Sequence, residues 1–238
     1  MRHVFTIFIT CFYFSFCFGQ NKQLEHFVPK GWKALTIVKG DLNADGLEDA
    51  VMVIEEDNPD NIIKNATETP RAKELSLNSR QLLVLFKNES DEVYTLKVQN
   101  GVFIPAENSK EFPCLEDPYH NDGVIIEDGK FIINFYYFHN CGNWNVTNET
   151  YRFRFQENSL VLKEYDIINY HRASGFATEI SVNLVTNKKY IITGNNIYDI
   201  DDDTAPVPVK TWSDIQLTEP ITLQSLGEAN CYYYENWL

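Results

Sequence analysis

KGDLNADGLEDAVMVIEE, residues 39–56, places Asp41, Asn43 and Asp45 at alternate positions, adds Gly46 and Asp49, and runs straight into AVMVI. Carboxylates this close repel one another, and a surface turn needs only one or two Asx side chains to close. The crowding points to a cation among them. Counted from Asp41, side-chain oxygens fall at positions one, three, five and nine, and the Leu47 backbone carbonyl at seven. Gly46, at six, permits the sharp turn that a side chain would obstruct. Calcium takes about six to eight oxygen ligands, and such an alternation can wrap one ion. The loop is not an EF-hand: position twelve is Met52 rather than a bidentate Glu, and the flanks KALTIV and AVMVI read as strands. The expected cofactor is Ca2+, held by Asp41, Asn43, Asp45, Leu47 and Asp49.

Outward from that loop the strand signals continue. ALTIV, AVMVI, QLLVLF and VYTLKV are short, rich in β-branched and aromatic residues, and separated by Asn, Asp, Gly and Ser clusters. KNESDE, residues 87–92, reads as the turn of a hairpin. The polar stretch between AVMVI and QLLVLF reads as an excursion loop with one helical turn near Arg71–Leu75. A second β set follows. GVIIEDGKFIINFYYF carries Asp128-Gly129 between two apolar runs, a strong hairpin signal. Tyr151, Phe153 and Phe155 alternate with Arg152 and Arg154, so one face is buried and the other wet. ATEISVNLVTNKKYIITG supplies another hairpin, turning at Asn187-Lys188. Beyond Gly194 the pattern decays into an acidic, proline-bearing connector and an aromatic tail expected to pack on the body. The class is mainly β: antiparallel meanders, with a four-stranded unit over 32–104 and a second over 118–194, in one β domain spanning 20–200.

The pattern D-x-[DN]-x-D-G-x-x-D between two strands resembles the calcium loop of FG-GAP and VCBS-type β-propeller repeats, found in integrin heads and many secreted bacterial proteins. The resemblance covers roughly Ala34 to Val98 as one four-stranded blade. It implies that Asp41, Asn43, Asp45 and Asp49 are ligands, with the Leu47 carbonyl. It implies a metal and a fold fragment, and no reaction. A propeller repeats its blade about four to eight times, whereas this chain has one such loop. DIDDDTAP, residues 199–206, lacks the glycine and leads into prolines. A closed propeller is therefore not expected.

The N-terminus suggests a compartment. MRHVFTIFITCFYFSFCF has one arginine, then an almost unbroken apolar run, then Gly19-Gln20 and polar sequence. That is the layout of a secretory leader over residues 1–19, and the run is short for a bilayer span. The expectation is a secreted, periplasmic or cell-surface protein of bacterial type, with no integral membrane span once the leader is removed. The N-x-[ST] sequons at Asn65, Asn88, Asn145 and Asn148 are given no role there. Cys114, Cys141 and Cys231 would remain, suggesting one disulfide and one free thiol. The sequence does not assign the pair, although Cys114 and Cys141 flank the same predicted hairpin. With 34 acidic and 20 basic residues the net charge is −14. Nucleic acid is therefore not an expected partner.

Two further constellations bring chemistry-bearing residues together. His139 and Cys141 lie two apart, with Asp117 and His120 before them, so a Cys–His nucleophile is conceivable. Alternation along a strand produces the same spacing. Tyr136, Tyr137, Phe138, Asn143, Trp144 and Asn145 could form a platform for a sugar or peptide, or simply the end of a hairpin. The reading reached is a secreted, calcium-binding structural or binding module for an unknown protein or glycan ligand. The competing class is a secreted hydrolase working around Asp117, His120, His139 and Cys141.

Overall fold

Eight consecutive positions, Asp49–Glu56, form strand β2, and seven of them are buried. A strand covered on both faces must be apolar on both, which is why AVMVI reads as a continuous run rather than an alternation. The computed structural model describes residues 22–66, 72–119, 123–198, 207–217 and 219–227. The proposed leader, His120, the acidic stretch 199–206 and residues 228–238 with Cys231 lie outside the described residues.

β1 (Trp32–Gly40) pairs antiparallel with β2, β2 with β5 (Arg80–Lys87), and β5 with β6 (Tyr94–Asn100), giving a four-stranded sheet in the order β1-β2-β5-β6. Between β2 and β5 the excursion holds a small hairpin, β3 (Ile62–Lys64) with β4 (Glu74–Ser76). A helical turn was expected near Arg71–Leu75; instead Glu74–Ser76 is extended and a 3-10 turn lies earlier, at Pro59–Asn61. Pro59 presets the dihedral of that turn, and the Asn58 side chain caps it by accepting from the Asp60 N–H at 3.0 Å. The outward row Ala50, Met52, Ile54, Leu83 and Leu85 packs with Leu24 and Tyr94, closed by Phe27, Val28 and Trp32. Burying each Met or Ile side chain there stabilises the fold by about 1.5–3 kcal/mol.

The other row, Val51, Val53, Leu82 and Val84, faces a second, seven-stranded sheet through a common core. That sheet is an antiparallel meander of β7 (Val124–Glu127), β8 (Lys130–Phe138), β9 (Asn145–Gln156), β10 (Ser159–His171), β11 (Phe176–Asn183), β12 (Lys188–Asn196) and β13 (Val209–Asp214). Its inner row includes Phe131, Ile133, Phe135, Tyr151, Phe153 and Tyr165. Phe103, from the segment after β6, meets Phe135 and Tyr151 edge-on at centroid distances of 5.5 and 5.1 Å. Among the described residues neither sheet closes on itself, so the architecture is mainly β with no barrel or propeller. No helix among them is long and apolar enough to cross a membrane.

Three contacts tie distant segments together. A Cβ on Gly40 would lie 2.6 Å from Ile126 Cγ2, so only glycine lets the end of β1 approach β7 this closely. The Asn100 amide donates to the carbonyls of Leu223 and Leu226, at 2.6 and 2.9 Å. Ile215, Leu223 and Leu226 also enter the common core. The strand β13 begins at the end of the stretch read as a connector, and the core residues come from the tail that follows it. VKTWSD is exposed along its whole length, so burial leaves no period for a sequence reading to find.

Candidate functional site

The loop between β1 and β2 begins where Gly40 pairs with Asp49. Its backbone doubles back twice in the left-handed region, at Ala44 (φ 63°) and Gly46 (φ 84°). Those turns are held by the loop's own side chains. Asp41 accepts from the N–H groups of Ala44 and Gly46, at 2.7 and 2.9 Å. Asn43 accepts from the N–H of Asp45 at 3.0 Å, and Asp45 from that of Leu47 at 2.8 Å. The Asn43 amide also donates to the second Asp45 oxygen at 2.7 Å. An ionised carboxylate can accept about four hydrogen bonds, so Asp41 and Asp45 keep lone pairs for a cation.

Asp49 stands apart from the other three. It is fully buried, accepting from the N–H of Leu42 at 3.0 Å and of Lys87 at 3.1 Å. Burial raises its pKa above the usual carboxylate value, the two backbone donors oppose that, and the neighbouring Asp45 and Asp41 add to it. As it stands, Asp49 staples the loop to β5. The Tyr94 hydroxyl adds a second tie, donating to the Glu48 carbonyl at 3.0 Å. Leu42 plugs the common core beneath the loop. Among the described residues no three His, Cys, Asp or Glu side chains form a ready metal cluster. A cleft of about 440 Å3 separates the loop, at Asp41 and Asn43, from the Asp128–Gly129 turn and Arg154 of the second sheet.

Of the second set of candidates, Asp117, His139 and Cys141 are among the described residues, and Cys141 is not a free nucleophile. Cys141 is bonded to Cys114, with their Cα atoms 5.5 Å apart, so no thiol is free there. Asp117 takes two bonds from Arg80. His139 is held below the usual histidine range by burial and by Arg172. The aromatic residues near the same end are partly organised. The Arg172 guanidinium lies 4.6 Å from the Phe138 centroid and 5.1 Å from that of Trp144, which remains exposed. Tyr137 points the other way, into the core.

Two polar centres escape the sequence reading. Arg80, almost fully buried, bonds Glu55 at 2.8 Å as well as Asp117, while Lys33 reaches the other Glu55 oxygen at 2.8 Å. Glu149, also fully buried, accepts from the Tyr151 hydroxyl at 2.9 Å. Burial pushes its pKa up to about 7, against hydrogen bonds from Tyr151, Tyr165 and Tyr137. Comparison with protein-family models, curated proteins and solved structures finds no match to this chain.

Proposed function

We propose that the protein is an exported β-rich structural or binding module whose loop 41–49 holds one calcium ion and thereby stiffens the turn between β1 and β2. The observation that carries this reading is the curl of the loop. Asp41, Asn43 and Asp45 each bend back onto N–H groups two to five residues ahead, with carboxylate lone pairs to spare. The FG-GAP-like spacing supports the same ligand set of Asp41, Asn43, Asp45, the Leu47 carbonyl and Asp49. A hard dication would relieve the mutual repulsion of the carboxylates, and oxygen is the donor it favours. The Cys114–Cys141 bond fits an oxidising compartment outside the cytoplasm. A protein or glycan is the partner class proposed.

The test is a thermal-unfolding titration. A ligand that binds only the folded state stabilises it by about 1.4 kcal/mol at tenfold excess over Kd. Extracellular calcium modules bind at about 10⁻⁴–10⁻³ M, so millimolar calcium should raise Tm by a few degrees. Magnesium, which holds its waters and demands a tighter octahedron, should do much less. Asp45→Ala should abolish the calcium response, while Asp202→Ala, in the acidic stretch 199–206, should leave it. Equal responses to both ions would remove calcium from the proposal.

A further inference from the structure

β13 is the last strand of the seven-stranded sheet, and among the described residues it pairs only with β12. All six of its residues are exposed, Trp212 at 57% and Val209 at 58%. Such an edge presents a row of backbone donors and acceptors to whatever strand fits it. The hydrogen-bond phase of the ladder tells which groups those are. The N–H of Ile215 donates to the Asn187 carbonyl at 2.8 Å, one step beyond the pair Lys188–Asp214. Hydrogen-bonded pairs alternate in an antiparallel ladder. Val209, Thr211 and Ser213 therefore direct their backbone groups to β12, and Lys210, Trp212 and Asp214 direct theirs outward.

We infer that this edge pairs with the same edge of a second copy of the chain, antiparallel and about a two-fold axis through Trp212. In that register Trp212 faces Trp212 of the second copy, Lys210 faces Asp214, and Asp214 faces Lys210. Every outward N–H and carbonyl of the strand then finds its counterpart, and both charged positions meet the opposite sign. Neighbouring registers of the correct phase do worse. Shifting the axis toward the N-terminus sets Pro208, which has no N–H, against Asp214. Shifting it the other way sets Lys210 against Gln216, beyond the strand, and places Trp212 opposite Asp214. A two-fold pairing is self-complementary by construction and closes at two copies.

Lysine on an edge is a common guard against such pairing. Here, however, the Lys210 ammonium is folded over the rings of Tyr190 and Trp212, at 3.6 and 4.7 Å from their centroids. Tyr190 and Trp212 meet edge-on at 5.0 Å. The charge therefore lies on one face of the sheet, alongside the edge, where Asp214 of the second copy can reach it. A ladder of this length is at the small end of protein interfaces, so the dimer belongs to high protein concentration.

Sedimentation velocity on the purified protein, from micromolar to near-millimolar concentration, tests this. Chelator is present throughout, so the outcome does not depend on the calcium reading. The wild type should pass from monomer to dimer. Lys210→Glu should weaken the dimer by about tenfold or more, because two attractive pairs become repulsive. Adding Asp214→Lys should restore it. Trp212→Pro should abolish it while leaving the β12 ladder, and hence the circular dichroism spectrum, intact. Residue-resolved hydrogen exchange should show the amides of Lys210, Trp212 and Asp214 gaining protection with concentration, and those of Val209, Thr211 and Ser213 unchanged. A wild type that stays monomeric over the whole range, or a dimer indifferent to both Lys210→Glu and Trp212→Pro, would overturn the inference.

Discussion

Arg80 grips Asp117 with two parallel bonds, Nη1 to Oδ1 at 2.6 Å and Nη2 to Oδ2 at 2.8 Å. Its remaining Nε donates to Glu55 at 2.8 Å. The guanidinium thus fastens β2, β5 and the segment leading to the disulfide hairpin at one point. Asp117, one of the residues around which the competing hydrolase class would work, is engaged in tying the segment between β6 and β7 to the four-stranded sheet.

Removing that cation should be costly. Arg80→Ala leaves Glu55 buried with only the half-exposed Lys33 to balance it. Breaking a buried pair in this way destabilises by about 3–5 kcal/mol. Arg80→Lys should recover little, because one ammonium cannot reproduce a fork that serves two carboxylates. Urea unfolding of both variants measures this, and a loss below about 1 kcal/mol for Arg80→Ala would contradict the role.

Glu149 sets a pH dependence with a definite sign. Its folded pKa, about 7, lies above the ordinary value of 4.5. Between those values the folded protein keeps a proton that the unfolded chain releases. Stability from this group is therefore complete below about pH 4.5 and is lost as pH rises through 7. Over that window the loss is of order 3 kcal/mol. Glu149→Gln should flatten the slope between pH 5 and about 8. Chemical unfolding across that range reads it directly; identical slopes in the two proteins would assign the dependence elsewhere.

Asp49 and Asp45 should separate cleanly when no calcium is present. Asp49→Ala strands the N–H groups of Leu42 and Lys87, one of them buried, at a cost of about 1–3 kcal/mol for each left unsatisfied. Asp45 is exposed, and its partners can turn to water. In chelator, Asp45→Ala should unfold close to the wild type and Asp49→Ala well before it. A reversed order would show that the staple has been misplaced.

The disulfide closes a separation of 27 residues. On the chain-entropy account, a loop of that size is worth about 3.5 kcal/mol. The double substitution Cys114→Ala/Cys141→Ala should lower stability by about that amount in denaturant. A change under about 1 kcal/mol would mean that the loop is already confined by the Arg80–Asp117 and Leu115–His139 contacts.

Where burial imposed a local rhythm, the fold could be read from the sequence. AVMVI and QLLVLF are continuous because both faces of β2 and β5 are covered, and Asp128-Gly129 forms the β7–β8 turn with both φ values positive. β13 was invisible because no face of it is buried. Arg80 and Asp117 lie 37 residues apart with no pattern linking them, so the pair appears only in three dimensions. Glu149 was accessible in principle: in NVTNETYRFRF it has the parity of Tyr151 and Phe153, which puts a carboxyl on the aromatic face. Of the acidic loop, the turn and its glycine were legible from spacing. The burial of Asp49 was not, because its donor Lys87 comes from another strand.

The hydrogen bonds from Asn100 to the carbonyls of Leu223 and Leu226 span 123 and 126 residues. A chain made from its N-terminus has the whole four-stranded sheet in hand long before those acceptors exist. Until then one face of β2 and β5, with Val51, Val53, Leu82 and Val84, has only part of its cover. Domains built on such distant contacts fold slowly and expose strand surface meanwhile. Residues 223–226, made after both sheets, therefore set the moment of closure: until they emerge the core stays open along that face, and a chain cut short of Leu223 keeps it sticky.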